Sequence, residues 1–330
     1  MSRRAVTIGV DLGGTKVATA LLGEHGELIA SKEASTGYGV TPRAVISQIV
    51  QDIENLCRTP SENAVLGIGV GAAGQVDSTT GVIRASSNLG WENVALKKEL
   101  EQLLSLPVLV INDVQAAAWG EWKQGAGQGA SDMACLFVGT GIGGGIISRD
   151  SLLSGSSGSA GEFGHTVIDR NGPLCRCGRH GCLEAFAGGW GIASRAQEAV
   201  TKDPEIGANL LNLAKGLCES ITASTVSQAA RKGDPLARRI VIETGEALSL
   251  GIASIVNTFN PKIVVLGGGV IEGLPELINM VKEQVSRYAL PSAVEGLRIR
   301  KATLKSMAGA IGAAMLARER FGISDMLEDI

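Results

Sequence analysis

Residues 5–10, 17–22 and 27–33 run apolar or alternate with polar positions between glycine-rich breaks. That pattern predicts three strands in a meander whose first connection is Asp11-Leu-Gly-Gly-Thr15. A helix is predicted over about 41–57, opened by Thr41-Pro42 with proline at the first helical position. Residues 65–70 read as a strand, 91–104 as a helix, and 108–111 as a strand ending at Asn112-Asp113. The run Val114-Gln-Ala-Ala-Ala-Trp119 reads as helix, with Asn112 or Asp113 suited to cap it. Strand and helix alternate, so the first part of the chain is read as an α/β layer structure.

Residues 133–138 and 145–148 flank a second glycine turn, Gly139-Thr-Gly-Ile-Gly-Gly-Gly145. As at the first turn, an apolar strand enters glycines mixed with threonine and another leaves, which reads as a weak internal repeat. Beyond Gly188 the chain reads as mostly helical. Residues 234–258 carry Pro235 near their start and apolar residues at three- and four-residue intervals, predicting a central buried helix stopped by Asn260-Pro261. A strand at 263–266, a third glycine turn at Gly267-Gly-Gly269, a helix over about 271–288 and a last helix over about 309–320 complete the pattern.

A chain of 330 residues has room for two domains, and 45% hydrophobic residues against 19% charged ones support packed cores. The 45 glycines, without a collagen-like period, point to many tight turns. A net charge of −3 with no Lys/Arg run beyond a pair argues against nucleic acid as a partner. No stretch approaches 18 uninterrupted apolar residues, and the apolar run after Arg3-Arg4 is cut at Asp11. The expectation is therefore no export, no membrane and a cytoplasmic location. Cys57, Cys135 and Cys218 stand alone in apolar surroundings and read as buried free thiols, whereas Cys175, Cys177 and Cys182 crowd into eight positions. That spacing is metal-like and suits a reducing compartment.

Two segments match the dinucleotide pattern G-x-G-x-x-G, Gly69-Val-Gly71-Ala-Ala-Gly74 and Gly139-Thr-Gly141-Ile-Gly143-Gly144. Residues 75–77 and 146–148 after them read as turn and strand, not the required helix. A Walker loop is also missing, because Thr15-Lys16 inverts the Lys-Thr order. Three glycine hairpin turns can instead cradle phosphates with backbone N–H groups, and the Asp11 carboxylate can hold Mg²⁺ directly or through its waters. His165, ten residues before Cys175, completes a Cys₃His set suited to structural Zn²⁺, with His180 as a rival ligand and His25 a solvated turn residue. Asp113 is a candidate general base, with a plain helix cap as the alternative.

Five motifs in order then become specific: Asp11-Leu-Gly-Gly-Thr-Lys16, Asn112-Asp113, Gly139-Thr-Gly-Ile-Gly-Gly-Gly145, Glu162-Phe-Gly-His165 and Cys175-Arg-Cys-Gly-Arg-His-Gly-Cys182-Leu-Glu184. Together, over essentially the whole chain, they resemble the ROK family of sugar kinases and repressors. The resemblance implies an actin-like, hexokinase-like fold of two α/β domains around a central cleft. Residues 1–117, completed by a C-terminal helix over about 309–325, would form the small domain, and 118–308 the large one with its zinc-binding loop. It implies ATP between the glycine turns, at Asp11, Gly13, Gly14, Thr15, Lys16, Thr140, Gly141, Gly143, Gly144, Gly267 and Gly268. It implies sugar contacts at Gly74, Asn88, Asn112, Glu162, His165 and Glu184, with Asp113 as the catalytic aspartate. It also favours His165 over His180 beside Cys175, Cys177 and Cys182.

The activity so implied is ATP-dependent phosphorylation of a hexose 6-hydroxyl, with glucose first. N-acetylmannosamine, N-acetylglucosamine, fructose and allose are the alternatives. A homodimer or homotetramer is expected from family habit. Gly71-Ala-Ala-Gly74 lacks a proline common at this loop in relatives, and Ser306-Met-Ala-Gly309 lacks an acidic residue, which leaves the adenine-side contacts open. ROK repressors carry a DNA-reading segment ahead of the first strand, whereas here a strand begins by Val6, so a kinase is expected. A sugar-binding or zinc-stabilised interaction protein is the third class, separated from a kinase by ATP consumption on adding a hexose.

Overall fold

Alternation along the first strand sends Val6, Ile8, Val10 and Leu12 into one apolar core and leaves Thr7, Gly9 and Asp11 on the opposite face. The computed structural model describes residues 4–36, 41–57 and 63–322. In its N-terminal part lie β1 (Arg4–Leu12), β2 (Lys16–Leu22), β3 (Leu28–Ser35), β4 (Asn63–Ala72), β5 (Gln75–Asp77), β6 (Val82–Ser86), β7 (Trp91–Val94) and β8 (Val108–Asn112). Strands β9 (Met133–Val138), β10 (Ile142–Ser148), β11 (Ser151–Leu152), β12 (Ile263–Gly267) and β13 (Arg298–Lys301) follow.

Two five-stranded sheets form, ordered β3-β2-β1-β4-β8 and β11-β10-β9-β12-β13. Both place two antiparallel pairings on one side and two parallel pairings on the other. The repeat read from the two glycine turns is thus a repeat of whole sheets. Helices Pro42–Cys57 and Leu96–Leu104 cover the apolar face of the first sheet. Helix Pro235–Phe259 runs through the core of the second, capped by the Asp234 carboxylate accepting from Ala237 N–H and closed by Asn260 in the left-handed conformation. Among the described residues it alone is long and apolar enough to cross a membrane, but 67% of its apolar window is buried inside the protein.

Helix Ala308–Phe321 packs on β1, β2 and β4 and crosses helix Asp113–Gln124. Its small residues permit direct backbone approach: a Cβ on Gly69 would stand 1.9 Å from the Ala313 carbonyl oxygen, and one on Gly312 1.7 Å from that of Ala116. The last helix expected from the sequence over about 309–320 is present as Ala308–Phe321, and residues 323–325, like Met1 to Arg3, lie outside the described residues.

Three expectations are corrected. Residues 91–104 are not one helix: Trp91 pairs with Ser86 in a small β5-β6-β7 sheet, Asn93 takes a left-handed backbone, and helix begins only at Leu96. The second glycine turn is shorter than Gly139–Gly145, because β10 already starts at Ile142. Residues 271–288 break into Gly269–Gly273, Glu276–Gln284 and a final short turn. Pro275, with no N–H to give, stands at the break.

Candidate functional site

Strands β1, β4 and β8 end in register, with Leu12 beside Ala72 and Ala72 beside Asn112. Everything that follows these residues therefore emerges along one carboxyl edge, where open α/β sheets bind ligands. From β1 comes the turn Gly13–Lys16, closed by Gly13 N–H donating to Lys16 O at 3.0 Å. Thr36 clamps it from behind, its N–H on Thr15 O and its hydroxyl on Gly13 O at 2.9 Å. Lys16 pairs with Glu33 at 3.4 Å. Exposed Asn88 is brought against this turn, since a Cβ on Gly14 would stand 2.7 Å from Asn88 O.

From β4 comes the loop at 71–74. Its missing proline is replaced by hydrogen bonds: Ala73 N–H donates to Leu12 O at 2.9 Å, and Asn112 Nδ2 to Gly74 O at 3.2 Å. A proline at 73 would lack that donor. Gly74 has φ +115°, and a Cβ there would lie 2.4 Å from Ala85 O, so glycine is required.

From β8 comes the start of helix Asp113–Gln124. Asn112 is its cap, its Oδ1 accepting from Val114 and Gln115 N–H groups at 3.0 and 3.1 Å. The cap role thus falls on Asn112, leaving Asp113 half-buried in the first turn with Val114 N–H donating to its Oδ1 at 2.9 Å. Burial pushes the Asp113 carboxyl up to about 6, the adjoining backbone N–H groups pull it down, and the Glu162 charge raises it further. Asp11, half-buried, is pushed up to about 7 by burial first and by the Asp113 charge second, with Lys16 opposing. Its carboxylate rests against the start of helix Ala308–Phe321, where a Cβ on Gly309 would come within 2.5 Å.

Gln115, which the sequence reading passed over, is 2% exposed, and its amide donates to Gly158 O and Ala160 O at 3.0 and 2.9 Å. That pair of bonds ties the segment leading to Glu162 onto the Asp113 helix. Glu184 lies at the second glycine turn, Oε2 accepting from Ile142 N–H at 2.7 Å and Oε1 from Trp190 Nε1 at 3.1 Å. Each of its oxygens keeps a further acceptor position.

The second turn is tight, with Gly139 N–H on Gly141 O at 2.9 Å. The first two N–H groups of helix Gly189–Lys202 hold its carbonyls, Gly189 on Gly139 O and Trp190 on Thr140 O. A cavity of about 580 Å³ opens beside it, lined by Thr140, Trp190, Thr222, Ser227, Arg231 and Gly269 among others. The sequence reading found only the glycine-turn side of this cavity, because the helical wall carries ordinary surface residues. Gly143 and Gly144 lie within β10, facing Val114 and Phe163, and Gly267 is buried against Phe137 and Ala302. Gly268, at φ +94°, is pressed on the Val138 backbone and starts the short helix that forms the far wall. These glycines shape the turns by close packing.

The fourth group is the cysteine loop. Ligand atoms of His165, Cys175, Cys177 and Cys182 all lie within 4.8 Å of one another. Cys177 and Cys182 sulfurs are 3.6 Å apart, and Cys175 Sγ is 3.8 Å from His165 Nδ1. Tetrahedral Zn²⁺ with bonds of about 2.3 Å to sulfur and 2.0–2.1 Å to nitrogen separates its ligands by about 3.5–3.8 Å, so the set fits zinc. His180 stands apart, exposed, with Nδ1 on Gly172 O at 3.0 Å. Outside the cluster, Cys135 is buried as expected, while Cys57 and Cys218 are half-buried. Arg176 of the loop stacks over the Trp190 ring, 4.8 Å from its centroid.

Known proteins resemble this chain over nearly its whole length. Residues 7–320 match the ROK family model. The chain is 37% identical to a glucokinase of Halalkalibacterium halodurans over 95% of each chain. It is 35% identical to an N-acetylmannosamine kinase of Shigella boydii, over 94% of this chain and 98% of that one. A ROK family glucokinase from Streptomyces griseus, solved in complex with glucose and AMPPNP, superimposes with a TM-score of 0.81 at 35% identity, over 95% of this chain and 99% of that one. The fold is the actin-like one of the hexokinase-like ATPases. With five ordered motifs, paired sheets ending in glycine turns and a match over nearly the whole length, the chain belongs to the ROK family.

Proposed function

We propose that this protein is an ATP-dependent hexose kinase acting on the 6-hydroxyl of glucose to give glucose 6-phosphate and ADP. The observation that carries the reading is the Asp113 carboxylate, held at the carboxyl edge of a parallel sheet beside Asp11 and the 71–74 loop and raised to about 6. A base of that strength is largely ionised at neutral pH yet accepts a proton readily. As the sugar oxygen bonds to the γ-phosphorus, the bond from phosphorus to the bridging oxygen breaks, ADP leaves, and the hydroxyl proton passes to Asp113. The glucokinase relatives, one of them holding glucose and AMPPNP, support both substrates.

Gly74, Asn88, Asn112, Glu162, His165 and Glu184 are the proposed sugar contacts. Asn112 keeps one amide N–H to offer, and Glu184 its second acceptor positions. The turn at Gly13, Gly14, Thr15 and Lys16 and the turn at Thr140 and Gly141 would grip the phosphates, with the 580 Å³ cavity taking the nucleoside. The charge neutralisation that phosphoryl transfer requires is supplied by Mg²⁺ when bound, and Asp11 is the residue that would hold it. His165, Cys175, Cys177 and Cys182 would hold a structural Zn²⁺, with the other His165 nitrogen left for sugar. A division near 117, cytoplasmic location and assembly as a homodimer or homotetramer complete the reading.

The N-acetylmannosamine kinase relative at 35% identity favours a second substrate class for the same machinery. Coupled ADP release with Mg²⁺·ATP across glucose, mannose, fructose, allose, N-acetylglucosamine and N-acetylmannosamine separates them. Glucose is expected to lead in kcat/KM by a hundredfold, about 2.7 kcal/mol at ~1.4 per tenfold. An N-acetyl sugar in first place would change the substrate and keep the residues; no ADP release with any sugar would end the kinase reading. Metal analysis of the freshly purified, reduced protein should find one zinc per chain.

A further inference from the structure

Glu121 is the most completely buried acid outside the site, with no exposure, and no cation pairs with it among the described residues. Four donors converge on it instead. Oε1 accepts from the backbone N–H groups of Thr303 and Leu304 at 2.9 and 2.7 Å. Oε2 accepts from Ala126 N–H at 2.8 Å and from the Thr303 hydroxyl at 3.2 Å. A carboxylate offers about four acceptor positions, so this one is saturated without a positive charge. Even the adjoining turn is fitted to it: a Cβ on Gly125 would stand 2.1 Å from Glu121 Oε2.

The two donating segments belong to different parts of the molecule. Ala126 opens the connection from helix Asp113–Gln124 to β9, and Arg300 Nη1 donates to Ala126 O at 3.0 Å from β13. Thr303 and Leu304 form the link from β13 to helix Ala308–Phe321. One helix carries Asp113 at its start; the other has its start against Asp11. The two helices touch backbone to backbone, a Cβ on Gly120 meeting Ala308 O at 2.5 Å. Rigid helices in direct contact transmit a displacement at one end to the other.

Resting on the kinase reading above, we propose that Glu121 is a positioning residue for phosphoryl transfer, whose saturated carboxylate fixes the Asp113 helix relative to the helix that backs Asp11. Its exact geometry matters because a near-attack arrangement lost by about 1 Å costs on the order of a hundredfold in rate. Glutamine cannot replace it: whichever way its amide turns, an NH₂ group faces N–H donors.

The test uses the full chain and three variants. Glu121→Gln removes the charge, Thr303→Val removes only the hydroxyl bond, and Asp52→Asn, which weakens the pair between buried Asp52 and partly exposed Lys32, is the comparison for loss of a buried charge elsewhere. At a temperature where all remain folded, Glu121→Gln is expected to lower kcat tenfold or more with glucose Kd within threefold. Thr303→Val should lower kcat two- to fivefold, and Asp52→Asn should leave it within twofold. Amide hydrogen exchange gives a reading independent of turnover, since Glu121→Gln should speed exchange in both 302–304 and 112–116. A kcat for Glu121→Gln that merely follows Asp52→Asn, or exchange that rises only at 302–304, overturns the proposal. Absence of wild-type turnover with every hexose overturns the kinase reading instead, and the exchange result then decides whether Glu121 couples the two helices.

Discussion

The two five-stranded sheets share strand order and strand directions, and both end their first hairpin in a glycine turn, yet their turns differ in kind. In the first sheet, the residue before the last of the leading strand is Asp11, flanked by Asp113 and backed by a helix start. In the second, the matching residue of β9 is Phe137, and the turn opens on a cavity walled by Trp190 and helix Ala223–Arg231. One topology thus makes two instruments. The first turn has two carboxyls of raised pKa beside it, Asp11 and Asp113, whereas the one acid at the second, Glu184, already accepts from Ile142 N–H and the Trp190 indole N–H. The backing differs too, because Gly9 and Gly69, partners in register, let helix Ala308–Phe321 come to backbone contact, where the partners Cys135 and Val265 stand in β9 and β12.

If that division holds, changes in the first sheet should strike turnover and changes in the second should strike nucleotide affinity. Asp113→Asn is the largest expected effect, a fall in kcat of about 10²- to 10⁴-fold with glucose binding retained. The same variant should be more stable at neutral pH. The Asp113 carboxyl is raised when folded, so the folded state binds more protons than the unfolded one between about pH 4 and 6, and stability falls as pH rises through that window. Removing the charge returns at most about 3 kcal/mol above pH 6, read as a rise in Tm at pH 7.5 that is absent at pH 4. For the wild type, kcat/KM should fall about tenfold per pH unit below about 6, as the base takes up its proton.

Gly141→Ala comes next in size. Its Cβ would stand 2.4 Å from Glu184 Oε2, in the second turn, and should raise KM for ATP about tenfold while kcat stays within threefold. A larger loss in kcat than in affinity would blur the distinction between the turns. Thr36→Val is the smallest, losing one hydroxyl bond behind the first turn, about 1 kcal/mol or less, and should show as a kcat change of a few-fold at unchanged ATP affinity.

Much of this was legible in the chain. Period-two apolar runs located β1, β2, β9 and β12, proline and Asn260-Pro261 bounded the long helix, and cysteine spacing found three members of the cluster, the resemblance choosing His165 over His180 as the fourth. What the pattern hid had physical reasons. Residues 75–94 form short strands whose pairing partners, not their periodicity, decide their state. Gly143 and Gly144 lie within β10 and Gly267 ends β12, places where packing as well as turning calls for glycine, so the pattern alone did not give their positions. Gln115 and Glu121 lay in a helix that reads as plain alanine-rich core, and only the loops folding back onto it reveal their partners.

The chain has four tryptophans, and Trp91 and Trp119 are buried while Trp122 stacks with Trp119 beneath Lys123. Trp190 differs from all three: it forms part of the cavity wall, bonds Glu184 through its indole N–H and lies under the Arg176 guanidinium of the cysteine loop. Its ring thus touches both the cavity and the cysteine loop, so its emission is placed to report on either. Under the proposed function, intrinsic fluorescence would follow, without any label, both nucleotide entering the cavity and zinc leaving the loop in the same cuvette.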